Sequence, residues 1–68
     1  MNANKIQISD FTFIFNGHGH YKVIYCSPVT GKEFSTVTSN MPLIDLTKNS
    51  ESPKRKDLER LKYVCKNS

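Results

Sequence analysis

Long apolar runs are missing from this chain. The longest unbroken stretches, Phe13 to Phe15 and Val23 to Cys26, are far too short to cross a bilayer. The opening residues MNANKIQISD lack the apolar segment of a signal peptide, so a cytoplasmic location is the expectation. Three glycines and three prolines in 68 residues are too few for a linker protein. The two cysteines, Cys26 and Cys65, form no recognisable framework. A bridge between them is conceivable, but without a secretory context free, partly buried thiols are expected, and no spacing resembles a zinc motif.

Catalytic arrangements are missing too. Asp10, Asp45, Asp57 and Glu59 are scattered, and nothing groups a nucleophile, a base and an oxyanion site, so no enzyme is expected. TGKE (30–33) echoes the end of a phosphate-binding loop, but Cys26 stands where the upstream glycine is needed and Glu33 where Ser or Thr is needed. His18 and His20 are spaced to point the same way from a strand. Ligand spacing for zinc is absent, however, and an exposed loop pair that adds pH-dependent charge is preferred. No metal or other cofactor is expected.

Net charge is missing from most of the chain and concentrated at its end. Residues 53–66 hold six cations against Asp57 and Glu59, which accounts for the whole net charge of +4. A basic segment on a neutral body suggests an anionic partner such as nucleic acid. A solvated helix face that keeps a small protein soluble explains the charge equally well.

The content that remains is 37% hydrophobic, which suits one folded domain over residues 1–68, near the lower size limit for a single core. The first two-thirds reads as an antiparallel sheet over residues 5–38. Ile6 and Ile8 alternate with polar residues; Phe11, Phe13 and Phe15 alternate in the opposite parity, which implies a bulge or break at Ser9-Asp10. Asn16-Gly17 signals a reversal, with Gly19 adding slack. In HYKVIYC (20–26), Tyr21, Val23 and Tyr25 face one way and Lys22, Ile24 and Cys26 the other. SPVTGK supplies the next turn, and EFSTVT (33–38) a third strand. The third strand's inward parity stays open: Phe34 argues for even positions and Val37 for odd ones.

Residues 39–52 read as a connector with a short helix or turn, in which Leu43, Ile44 and Leu46 close one end of the core and TKNSES (47–52) is polar. A helix follows over 53–66, with Ser52 as N-cap and Pro53 in the first position. A 100° step per residue gathers Leu58, Leu61, Val64 and Cys65 in one core-facing arc. Lys54 and Asp57 project onto the same arc, so the first turn should overhang the core's edge. The fold class is therefore α+β: a three-stranded antiparallel meander with a C-terminal helix packed on one face.

Two candidate sites follow. At the helix start, Lys54, Arg55 and Lys56, with Arg60 one turn on, stand where the helix dipole disfavours cations; beside free backbone N–H groups they would make a phosphate-binding corner. On the open sheet face, Lys22 and Lys32 could meet DNA, with Thr12, Ser35 or Thr36 as hydrogen-bonding neighbours. Ile14 and Ile24 on that face could contact thymine methyls or form a protein-binding patch. Tyr21, Tyr25, Phe11, Phe13 and Phe15 resemble a stacking platform for single strands, but a core needs them under the helix.

YKVIYCSPVTGKEFSTV (21–37) followed by a helix resembles the small N-terminal arm-site-binding domains of tyrosine-family phage and transposon integrases. That resemblance implies a three-stranded sheet on a C-terminal helix, its open face in the DNA major groove, and Lys22 and Lys32 as sheet-borne contacts. The insert from Ser39 to Ser52 and the lack of a catalytic domain depart from the family pattern. The expected function is thus a small basic nucleic-acid-binding module, preferentially for DNA and non-catalytic, from a phage or mobile element. The alternative is a protein-interaction module, an adaptor or inhibitor, that binds an acidic partner. A short exposed edge strand would permit dimerisation without requiring it.

Overall fold

The computed structural model describes residues 6–67 and contains a three-stranded antiparallel sheet followed by two helices. The strands are β1 (Phe11–Gly17), β2 (His20–Cys26) and β3 (Glu33–Thr38), in the order β1-β2-β3; the helices are α1 (Met41–Thr47) and α2 (Arg55–Lys66).

The parity break at Ser9-Asp10 is a 3-10 turn over Ile8–Asp10, so the sheet starts at Phe11. Asp10 closes this turn by accepting the Gln7 N–H at 3.1 Å, and its own N–H returns to the Gln7 carbonyl at 3.0 Å. The detour drops Ile6 into the core without making it a strand residue.

The first reversal also falls later than the Asn16-Gly17 dipeptide suggests. Gly17 pairs with His20, leaving His18-Gly19 as a two-residue turn, and the register slips between Phe15 and Gly17. Both turn residues have positive φ, 55° and 74°, as a type I′ turn demands. The extra residue at Asn16 is absorbed as a bulge. At the second reversal Ser27 Oγ accepts the N–H groups of Val29 and Thr30, both at 3.3 Å.

Pairing settles the parity of β3. Tyr25 lies opposite Phe34 and Val23 opposite Thr36, so even positions share the face of the buried Val23 and Tyr25. Val37 sits opposite Lys22 on the open face and is 53% exposed. The core joins Ile6, Phe11, Val23 and Tyr25 to Leu43 and Ile44 of α1 and to Leu58, Leu61 and Cys65 of α2. Each large aliphatic buried this way contributes about 1.5–3 kcal/mol. α2 therefore covers one sheet face with the stripe its periodicity implies, and Val64 is half-buried at its margin.

α1 forms because Asn40 Oδ1 accepts the Leu43 N–H at 3.2 Å, capping the first turn, with Pro42 just inside it. Two expectations for this region are corrected. Leu46 is 49% exposed and does not close the core. Thr47 is no part of a polar connector: it is fully buried, and its hydroxyl donates to the carbonyls of Leu43 at 2.9 Å and Ile44 at 3.3 Å. Paired this way, the hydroxyl is buried without leaving a polar group unmatched.

α2 starts two residues after the expected Pro53. Its N-cap is Lys54, in extended conformation and without a side-chain cap, so Ser52 does not cap it. The later onset has an electrostatic benefit, since it brings Asp57 into the first turn, where the dipole favours a carboxylate. No helix among the described residues is long and apolar enough to cross a membrane.

Candidate nucleic-acid interface

The start of α2 and the segment leading into it enclose an open pocket of about 570 Å³, lined by Leu46, Ser50, Ser52, Lys54, Lys56, Asp57 and Arg60. Three of the expected site residues, Lys54, Lys56 and Arg60, thus meet in one concavity. Lys56 and Arg60 share it because they are four residues apart on one helix face, and Lys54 because it caps that helix. The N–H groups of the first turn lie at the same end.

Arg55 does not join them. Its Nε donates to Glu59 Oε2 at 2.9 Å, an exposed i,i+4 pair that compensates its charge outside the pocket. Lys62 and Lys66 are also diverted: their Nζ atoms lie 5.9 Å from the Tyr25 ring centroid and 5.4 Å from that of Phe34. Cations so placed are attracted by the ring faces and bury their stems along the sheet's rim. Lys48 does the same over Tyr21, at 5.8 Å. The basic face of α2 is therefore divided between sheet and pocket.

Lys22 and Lys32 form no joint site. Lys22 stands between Ile14 and Val37 on the open face, away from α2. Lys32 is in the turn before β3, beyond the Cys26–Glu33 pair at the other end of the sheet. At about 3.3 Å per residue the four steps from Lys22 to Cys26 alone span roughly 13 Å. Thr12 and Ser35 share the open face, both opposite Ile24, whereas Thr36 faces the helices and is no neighbour for Lys22. Ile14, 47% exposed, and Val37 flank Lys22 with apolar surface.

The aromatic residues mostly serve the core. Phe11 and Tyr25 are buried with ring centroids 5.0 Å apart, and burial together with the nearby Asp10 charge raises the Tyr25 hydroxyl's pKa. Phe15 alone of the aromatic residues on the covered face is well exposed, at the hairpin's tip beside Tyr21. Both cysteines are free, but neither is partly buried as expected: Cys26 is exposed on the open sheet face, and Cys65 lies buried under Val23. Among the described residues no three potential metal-ligating side chains come together.

Sequence reasoning missed Leu46, Ser50, Ser52 and Asp57 as lining residues. The projection of Asp57 onto the core-facing arc was the one available sign. No family model, curated protein or solved structure matches this chain.

Proposed function

We propose that this chain is a small, non-catalytic nucleic-acid-binding module, with DNA as its polymer, that engages phosphate through the start of α2. The observation that carries the reading is the convergence of Lys54, Lys56 and Arg60 on one open pocket. Cations gathered at a helix N-terminus raise the local repulsion of an empty site, and a phosphate relieves it while accepting from the first-turn N–H groups. Residues 53–66 carry the entire net charge, so the field that steers a polyanion points to this end of the molecule.

The test is a titration of labelled single-stranded and duplex DNA at several salt concentrations. Affinity should fall steeply as salt rises. Replacing Lys54, Lys56 and Arg60 together by Gln should make the slope against log salt shallower by about 2 for single strands. Arg55→Gln should change it far less, because Glu59 already neutralises that guanidinium. Absence of binding at low salt would refute the proposal.

A second reading rests on the open sheet face. Ile14 and Val37, both about half exposed, bracket Lys22 there, a pattern suited to an acidic protein surface with apolar side chains. Under it the chain is an adaptor or inhibitor, and Ile14→Ser with Val37→Ser would abolish partner capture while leaving DNA binding intact. The resemblance to arm-site-binding domains favours that same face as a DNA contact, through Lys22 and Lys32. Lys22→Gln then separates the two, since only a DNA contact makes the salt dependence of DNA binding fall with it.

A further inference from the structure

The pocket contains a group that phosphate binding does not use. Asp57 is only 8% exposed, yet its side chain has no hydrogen bond or ion pair with any described residue. No fully buried side-chain oxygen is left unsatisfied among the described residues, and Asp57 is one of the residues that line the pocket. A carboxylate so deeply set and so poorly partnered accepts hydrogen bonds from whatever enters. The pocket therefore offers three cations and one acceptor-only group within a single cavity of about 570 Å³, inside the range that encloses small ligands.

We propose that this pocket holds one unpaired guanine nucleotide, its phosphate on Lys54, Lys56 and Arg60 and its pairing edge on the Asp57 carboxylate. The inference rests on the phosphate-binding reading above and adds a base preference to it. Guanine alone among the common bases presents two adjacent donors, N1–H and the N2 amino group, which match the two oxygens of a carboxylate. Cytosine and adenine offer an amino group beside a ring acceptor, and thymine one N–H between two carbonyls; each would set an acceptor against the charge. Leu46, half exposed at the pocket's wall, supplies apolar surface for the face of the base. In a duplex the donor edge of guanine is occupied by cytosine, so the nucleotide must be unpaired, either free or within a single strand.

The experiment measures affinity for a short labelled oligothymidylate with and without one central guanine, at fixed low salt, for the wild type and for Asp57→Asn. The wild type should prefer the guanine oligomer by about 5- to 150-fold, the range of one bidentate base contact. Asp57→Asn should lose that preference while binding plain oligothymidylate at least as well, since a negative charge has been removed. Equal wild-type affinity for both oligomers overturns the guanine inference and leaves phosphate binding standing. So does an Asp57→Asn variant that gains equally on both, because Asp57 would then only neutralise its neighbours. Binding to neither oligomer refutes the underlying reading instead.

Chemical-shift titration of the unmodified protein with dGMP and dAMP keeps the test independent of whether the variant folds. Saturable shifts of the Asp57 and Arg60 amides with dGMP at concentrations where dAMP gives none support the pocket for a free nucleotide. A guanine preference confined to the oligomers assigns it to a strand. Absence of preference in both arms overturns it.

Discussion

The thiol of Cys65 donates to the backbone carbonyl of Val23 across 3.7 Å, joining the last turn of α2 to the central strand. Burial pushes this thiol up from its ordinary value of 9.0 to about 11. Below pH 9 the folded and unfolded forms are both protonated there, so the group costs nothing. Between pH 9 and 11 the unfolded chain releases the proton and the folded one retains it, so stability falls as pH rises, by up to roughly 2–3 kcal/mol. The raised Tyr25 hydroxyl acts in the same direction. Thermal melts across this range should show the decline, and Cys65→Ala should reduce it, leaving the part that Tyr25 contributes. In the native protein a thiol reagent near neutral pH should label Cys26 alone, with Cys65 reacting only on unfolding.

Leu61 and Leu46 should respond oppositely to truncation. Leu61 is fully buried beneath the sheet, and Leu61→Ala should cost about 2–5 kcal/mol. That approaches the whole stability of a domain this small, so the variant should be largely unfolded at room temperature. Leu46→Ala should shift stability by no more than about 0.5 kcal/mol. Urea denaturation followed by circular dichroism measures both.

Two potential helix caps can be compared in the same assay. Asn40→Ala removes the acceptor of the Leu43 N–H and should destabilise by about 0.5–2 kcal/mol. Ser52→Ala should be nearly neutral, because α2 is capped at Lys54 and Ser52 makes no capping bond. An equal loss in the two variants would place the start of α2 two residues earlier.

His18 sits at a φ of 55°, a left-handed conformation that β-branched side chains resist. His18→Val should cost roughly 1–2 kcal/mol, whereas His18→Gly should be neutral or mildly stabilising. The comparison isolates backbone strain, because the turn is exposed and the side chain packs on nothing in the core.

Most of the architecture was legible because it rests on period. Alternation in β2 separated Tyr21, Val23 and Tyr25 from Lys22 and Ile24, and the helical step gathered Leu58, Leu61 and Cys65. The parity of β3 was not legible, because Phe34 and Val37 both suit a strand interior and only the register with Tyr25 and Lys22 chooses between them. Thr47 was misread for a different reason: a hydroxyl bonded to its own helix's carbonyls is neutral to its surroundings, and composition cannot register that. For the candidate site, the basic helix start was visible as a charge run. Which cations converge was legible only in part: the i,i+4 spacing of Arg55 and Glu59 already marks their pairing, but nothing in the sequence shows that the rings of Tyr25 and Phe34 occupy Lys62 and Lys66. The lining from Leu46 and Ser50 depends on how the segment between the helices folds back, a tertiary matter.

That segment has a consequence of its own. From Lys48 to Lys54 no side chain enters the core, although the helices it links, α1 and α2, are anchored at Thr47 and at Leu58. Its length is thus uncoupled from packing and sets the aperture of the cleft it borders. Adding or removing a single residue there would widen or narrow that opening while leaving the hydrophobic scaffold in place.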